Sequence, residues 1–182
     1  TVTMYDAPSG SITISKQAIG GGSELVGAHL RILDGNGTVV EEWDSTATAH
    51  QIVAKLIAGA TYTLVETTAP AGYVIAESVE FTVNEDGTAQ TVTMYDAPVG
   101  KVTIAKRDKS SGDELVGATL KLTDSIGNVI ERWTTTTTPH VIKATLISGA
   151  TYTRTEVEAP DGYEIADSIT FQVQEDGEPM TI

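Results

Sequence analysis

The chain repeats itself at an offset of 90 residues, and this repeat restricts it to folds in which one small domain occurs twice. Trp43 matches Trp133 and Phe81 matches Phe171, with no insertion between the copies. Repeats that match position by position are expected to share one fold. With 182 residues in total, each copy is near the lower size limit for an independent hydrophobic core, so an additional staple would help to stabilise it.

Strand patterns dominate both copies. Segments 11–15, 29–33, 61–65 and 79–83 alternate apolar and polar residues and are rich in β-branched and aromatic types, which is typical of strands with one buried face. Turn residues, mostly glycine with Asp, Asn or Pro, separate them at short intervals. This pattern predicts an all-β fold of two tandem immunoglobulin-like β-sandwiches without a convincing helix.

The ends of the chain do not fit the repeat. Residues 1–8 have the same sequence as residues 91–98, so that Asp6 matches Asp96, while the counterpart of Asp96 in the second copy would fall beyond Ile182. We therefore expect residues 1–8 to be the last strand of a preceding repeat, residues 9–98 to form the first domain, and residues 99–182 to form a second domain truncated before its last strand. The chain is expected to be a piece of a longer protein.

Composition excludes several kinds of partner and site. The 25 acidic residues outnumber the 11 basic ones, giving a net charge of −14, which argues against nucleic acids and anionic membranes as partners. No stretch is apolar enough for membrane insertion, and without cysteine there is no disulfide or thiolate metal site. His29, His50 and His140 lack the mutual spacing of metal ligands, and Asp34–Gly37 is better explained as a hairpin turn than as a calcium loop. We predict no metal and no cofactor.

Charged residues recur at matching positions of predicted strands. Lys16 and Glu66 in the first copy match Lys106 and Glu156 in the second, and Asp96 ends the last strand of the first copy. A lysine, a glutamate and an aspartate on three separate strands are a group that can form an amide cross-link. The alternative is that these residues form ordinary surface ion pairs, each contributing under about 1 kcal/mol.

Strand alternation favours the cross-link. Lys16 follows Ile12 and Ile14 at intervals of two, and Glu66 follows Leu64, so both charged side chains are predicted to face the apolar side of their strands. A lysine that points inward among isoleucines is costly unless it has a partner or a function.

At this point the motifs resemble a known family. Both copies are similar to the Cna B-type, or SpaA-like, domains of Gram-positive surface adhesins and pilins, which have a prealbumin-like sandwich fold. The resemblance covers nearly the whole chain and rests on Lys16 and Lys106, on Glu24–Ala28 and Glu114–Ala118, and on Glu66–Tyr73 and Glu156–Tyr163. It implies an isopeptide bond between Lys16 and Asp96, assisted by Glu66, in a protein attached to the cell wall outside a Gram-positive bacterium.

Elementary chemistry is consistent with that implication. Amide formation needs a neutral amine and an electrophilic carboxyl group, and burial between two sheets favours the neutral forms of such groups. Glu66 would then act as an assisting acid that polarises the carboxyl of Asp96 and transfers protons. Glu156 is the corresponding acid of the second domain, where Lys106 lacks an aspartate in its own copy.

The ends of the chain suggest that its partner is a second copy of the same chain. Residues 1–8 of one molecule would add to the sheet edge of the second domain of another, placing Asp6 against Lys106 and Glu156 in a trans cross-link. The alternative is a second domain that is simply not linked.

The sequence therefore predicts a structural stalk or adhesin repeat that cross-links itself once and is not an enzyme. One alternative is a protein engineered for covalent assembly through its displaced strand. Another is an adhesin module that binds host matrix or carbohydrate, with Trp43 and Trp133 as stacking platforms.

Overall fold

The structure is a computed structural model that describes residues 9–182. These residues form eighteen strands and no helix, which confirms the predicted all-β fold. They divide into two compact units, the first ending at Ala97 and the second beginning at Pro98. Within the described residues, no helix is long and apolar enough to cross a membrane.

The first domain contains nine strands. They are β1 (Ser9–Gly10), β2 (Ile12–Ala18), β3 (His29–Leu33), β4 (Val39–Asp44), β5 (His50–Gln51), β6 (Leu56–Ile57), β7 (Thr61–Thr68), β8 (Val79–Thr82) and β9 (Gln90–Asp96).

The second domain repeats this order with nine strands. They are β10 (Val99–Gly100), β11 (Val102–Ile104), β12 (Thr119–Thr123), β13 (Val129–Thr134), β14 (His140–Val141), β15 (Leu146–Ile147), β16 (Thr151–Glu158), β17 (Ile169–Gln172) and β18 (Met180–Thr181).

Each domain is a sandwich of a three-stranded and a four-stranded sheet. In the first domain the strand orders are β5-β2-β9 and β4-β3-β7-β8, with β1 and β6 forming a short separate pair. The alternation predicted from the sequence is visible in β7, where every second residue from Tyr62 to Glu66 is buried. The buried faces of both sheets meet in one core that includes Ile12, Leu30 and Leu64.

The first and last strands of the first domain lie side by side. β2 and β9 pair in parallel over seven residues, so that Lys16 lies opposite Met94 and Ala18 lies opposite Asp96. Because alternate residues share a face, Lys16 and Asp96 both point into the sandwich. This register brings together two residues that are 80 positions apart in the chain.

The corresponding pairing of first and last strands is shorter in the second domain. There β11 and β18 pair in parallel through Val102–Met180 and Thr103–Thr181, and one more hydrogen bond joins the Ala105 N–H to the Ile182 carbonyl at 2.8 Å. The second domain thus contains the beginning of the strand that was expected from the sequence to be missing entirely. Lys106 lies beyond the end of β11.

The Asp34–Gly37 segment is a hairpin turn between β3 and β4, as predicted. One Asp34 carboxylate oxygen accepts hydrogen bonds from the Asn36 and Thr38 N–H groups, both at 2.9 Å. Gly37 adopts a positive φ of 80°, a conformation that favours glycine. The carboxylate is therefore used to hold the turn.

Candidate cross-linking site

Three charged residues meet inside the first domain. Lys16 lies on β2, Glu66 on β7 and Asp96 on β9. These three residues are only 1%, 5% and 0% exposed, respectively. Each occupies an inward position of its strand. The two sheets of the sandwich thus enclose one amine and two carboxyl groups in the apolar core.

The amine of Lys16 contacts both acids. Its Nζ atom is in contact with Oδ1 of Asp96 and is 3.1 Å from Oε1 of Glu66. The second Glu66 oxygen accepts a 2.7 Å hydrogen bond from the Ala76 N–H. Among the described residues, Oδ2 of Asp96 has no hydrogen-bond partner. The carboxyl of Asp96 therefore depends on the lysine for its polar contact.

The surroundings of Glu66 raise the pKa of its carboxyl group. Burial raises the pKa of this carboxyl most, and the charge of nearby Asp96 raises it further, against the opposing effects of the Ala76 N–H and Lys16. Two carboxylates and one ammonium in a low-dielectric interior carry an excess negative charge, which binding one proton removes. Glu66 is thus suited to give or accept a proton at this site.

This arrangement can support condensation. A neutral amine that touches a carboxyl group and is held there by two sheets is in effect at very high local concentration. A neighbouring protonated carboxyl can hydrogen-bond to the reacting carbonyl and relay the protons. The first domain thus holds the three groups that an acid-assisted condensation would need.

Glu24 positions the strand that carries the lysine. Its carboxylate accepts hydrogen bonds from the Lys16 N–H at 2.7 Å and from the Ser15 hydroxyl at 2.6 Å. In the second domain Glu114 accepts from the Lys106 N–H at 3.1 Å. From the sequence these glutamates were recognised only as family motifs, although their equal spacing to the lysine in both copies was a signal of a shared role.

The second domain holds a related but different site. Lys106 Nζ is 3.2 Å from Oε2 of Glu156, and the lysine side chain is 12% exposed. The same Glu156 oxygen accepts a 2.6 Å hydrogen bond from the Ala166 N–H, whereas in the first domain the Ala76 N–H binds the Glu66 oxygen that does not face the lysine. The predicted trans partner, Asp6, lies outside the described residues. The structure thus brings together two of the three residues predicted for this site.

The histidines and tryptophans form paired structural clusters. Trp43 stacks on His50 with ring centroids 4.4 Å apart, and Trp133 stacks on His140 at 4.6 Å. Each histidine Nε2 also lies within hydrogen-bond distance of a glutamate on the preceding strand. One face of each indole is therefore covered by an imidazole of the same domain.

Comparison with known proteins decides the family. A family model described as the SpaA prealbumin-like fold domain matches the chain twice, over residues 10–98 and 100–182. The chain belongs to this family. Both matched segments end near the limits of the two compact units, so each SpaA domain corresponds to one sandwich. The resemblance inferred from the sequence motifs is confirmed.

Several solved structures are similar to this pair of SpaA domains. The Bacillus anthracis TIE protein is 27% identical, covering 96% of this chain and 33% of that chain, with a TM-score of 0.47. The open form of the pilus adhesin SpaC from Lactobacillus rhamnosus GG is 22% identical, covering 92% and 26% of the two chains, with a TM-score of 0.42. The shaft pilin SpaA of the same organism is 14% identical, covering 95% and 96%, with a TM-score of 0.41.

The chain spans about a third of the TIE protein and about a quarter of SpaC. A search of curated protein sequences found no match.

Proposed function

We propose that the chain is a structural repeat of a bacterial surface protein, stabilised by an intramolecular isopeptide bond between Lys16 and Asp96. The observation that carries this proposal is the buried contact of Lys16 with Asp96, with Glu66 3.1 Å from the same amine. The resemblance to surface adhesins and pilins supports the location outside a Gram-positive cell, attached to its wall.

The reaction balances as a condensation. The neutral Lys16 Nζ attacks the carboxyl carbon of Asp96, an N–C bond forms, one C–O bond breaks, and water leaves with the amine proton that Glu66 relays. The first domain reacts once and is its own substrate. The product is a structural bond, and no external substrate is turned over.

The bond would join the first and last strands of the sandwich. Force that enters the domain at β2 and leaves at β9 would then pass through a covalent link and not through the hydrogen bonds of the sheet. Such a link closes a loop of 80 residues. By the chain-entropy relation established for disulfides, this closure contributes about 4–5 kcal/mol to stability.

Intact mass spectrometry tests this proposal directly. The chain is expected to be lighter than its sequence mass by one water, and Lys16→Ala is expected to restore the full mass. Lys106→Ala is the matched control, because it removes the equivalent lysine of the second domain and should leave the water loss unchanged. An unmodified mass in well-folded protein would contradict the proposal.

A second candidate function is head-to-tail assembly by strand addition. It is favoured by the Lys106–Glu156 pair near the β11–β18 edge of the second domain, because Oε1 of Glu156 has no hydrogen-bond partner among the described residues. Residues 1–8 of a second copy have the sequence of residues 91–98, which include most of β9. Added at this edge, they would place Asp6 near Lys106 and Glu156.

Concentration-dependent size-exclusion chromatography tests this assembly. We expect oligomers that disappear on deleting residues 1–8 and weaken in Asp6→Ala. A denaturing gel of the same samples shows whether the chains become covalent. A chain that stays monomeric at high concentration would contradict strand addition while leaving the Lys16–Asp96 bond untouched.

A further inference from the structure

Two basic side chains lie next to each other on the outer face of the four-stranded sheet of the second domain. The strand order of this sheet is β13-β12-β16-β17. On β12, Leu120 and Leu122 are buried in the core, so Lys121 between them faces outward. Arg132 on β13 lies directly opposite Lys121 and therefore shares the same face. We call Lys121 and Arg132 the basic patch.

The second domain does not offset the charge of this patch. Among the described residues, no ion pair joins Lys121 or Arg132 to an acidic side chain. The outward positions of β16 and β17 are mostly threonine, and Glu158 at the end of β16 is held by the Thr119 hydroxyl. Like charges directly opposite each other destabilise a sheet. The pair is therefore costly unless an anion from outside the domain balances it.

The first domain has acidic side chains at the same place. The 90-residue repeat aligns Glu42 with Arg132, and the residue opposite Glu42 is Arg31, whose Nε lies 3.1 Å from its Oε2 atom. Asp44 faces outward from the same strand, opposite His29. The side chains of Glu42 and Asp44 remain 53% and 78% exposed. We call Glu42 and Asp44 the acidic patch.

The basic residues of the chain are concentrated in the second domain. Residues 99–182 contain eight of the eleven Lys and Arg residues, whereas residues 9–98 contain three of them against 11 acidic residues. The outer face of a sheet is an open surface, unlike the concave sites that small ligands occupy. It is suited to contact another open surface, and the first domain of a second copy offers one of opposite charge.

We propose that the basic patch of one chain binds the acidic patch of a second copy of the same chain. Lys121 and Arg132 would gain the carboxylates that their own domain does not supply. Because the contact joins two different surfaces, each chain has one of each to offer and the association can continue from chain to chain. Residues 1–8 and the Lys16–Asp96 bond take no part in it.

The contact is expected to be weak and sensitive to salt. Exposed ion pairs contribute little each, and the net charge of −14 on every chain opposes association at long range. Salt screens exposed charges, so sedimentation velocity of the full chain should show self-association that rises with protein concentration and falls on adding salt at the level that screens the patches.

Charge reversal tests the basic patch. The double variant Lys121→Glu with Arg132→Glu is expected to weaken self-association at least about 10-fold, because it places like charges against each other. The double variant Lys101→Glu with Lys109→Glu is the matched control, since it changes the net charge equally at exposed lysines outside the patch and should weaken association far less. Replacing Lys121 and Arg132 by Gln gives a milder variant that keeps the test valid if the reversal unfolds the domain.

Mixing two reversed chains tests the pairing itself. The double variant Glu42→Lys with Asp44→Lys reverses the acidic patch and should also weaken self-association. An equal mixture of this chain with the Lys121→Glu, Arg132→Glu chain again contains patches of opposite charge. Association of the mixture should therefore return to the level of the wild-type chain, and thermal unfolding confirms that each variant is folded.

The outcomes that contradict the proposal are distinct from those that test strand addition. A chain that stays monomeric at low salt and high concentration would overturn it, as would a mixture that associates no better than its separate components. Association through the patches should persist after deletion of residues 1–8. Association that is lost on this deletion and unchanged by the patch variants would overturn the proposal in favour of strand addition.

Discussion

At the scale of single residues, the protein handles buried charge in two ways. Among the described residues, the first domain encloses Lys16 with two acids and no second cation, so one carboxyl group is driven towards its neutral form, and the pKa of Glu66 is raised mainly by burial. The second domain pairs Lys106 with Glu156 and adds Arg154. The two interiors therefore contain different sets of buried charged groups.

Glu66→Gln is the residue-scale test of acid assistance. Glutamine fills the same volume but has no acidic proton to relay, so bond formation should slow by about 100-fold or more. Freshly refolded Glu66→Gln is expected to retain the full sequence mass when the wild-type chain has already lost water. The measurement is intact mass as a function of time after refolding.

Glu156→Gln serves as the control for that experiment. It makes the same change in the second domain and should leave the rate of water loss unchanged. Equal rates in Glu66→Gln and the wild-type chain would show that proximity alone drives the reaction.

At the scale of elements, a glutamate on β4 and its copy on β13 fasten the segment that follows each strand. One Glu131 oxygen lies 2.6 Å from His140 Nε2, and the other accepts from the Lys143 and Ala144 N–H groups at 2.8 and 3.1 Å. Glu41 makes the equivalent contacts in the first domain. These bonds attach β14 or β5, and the residues just after it, to the four-stranded sheet of the same domain.

This cluster predicts a pH dependence. Burial opposes ionisation of Glu131, but the hydrogen bonds from His140, Lys143 and Ala144 outweigh it and bring the pKa below its ordinary value of 4.5. A lowered folded pKa stabilises the folded state above pH 4.5, and this stabilisation is lost as the pH falls through the folded pKa. Glu131→Gln should therefore lower the unfolding free energy by about 1–3 kcal/mol at neutral pH and have little effect in acid.

Trp133 fluorescence during urea unfolding, in a Trp43→Phe background, measures the second domain alone. The exposed Glu77 supplies the control, since Glu77→Gln should not change the stability of the second domain at either pH. A Glu131→Gln effect that is equally large in strong acid would contradict the assigned ionised state.

At the scale of the whole molecule, the proposed bond would stabilise only one of two similar domains. Each has a core of modest size, near the range in which small domains need an added staple. The proposed bond closes most of the first domain into a loop of 80 residues, and the corresponding edge of the second domain is completed over only two residue pairs. The two domains are therefore expected to differ strongly in stability.

Calorimetry of the intact chain tests this difference. The first domain should unfold at a temperature higher than the second by on the order of 20 °C, as a contribution of several kcal/mol implies for a domain of this size. Lys16→Met should remove most of that advantage. Lys106→Met is the control, because it removes only an ion pair. The difference between the two changes in unfolding temperature measures the contribution of the bond. Equal shifts would indicate that no bond forms.

The sequence alone determined the architecture and the identity of the buried charged groups of the first domain. Alternation dictates which face of a strand a residue occupies, so Lys16 and Glu66 could be placed among core positions from the residue pattern by itself. The 90-residue repeat set the number of domains, and the motifs around these residues identified the family. The same alternation also places Arg154 inward, and its mismatch with Leu64 was a signal that the reading of the sequence missed.

Only the tertiary structure decided what these residues contact. The parallel register of β2 and β9 joins Lys16 to Asp96 across 80 residues, and periodicity within a strand contains no information about which distant strand lies beside it. The Ala76 N–H that binds Glu66 and the unused nitrogens of Arg154 depend in the same way on where backbone from other segments passes. Local pattern sets the direction of a side chain, and long-range packing sets its partner.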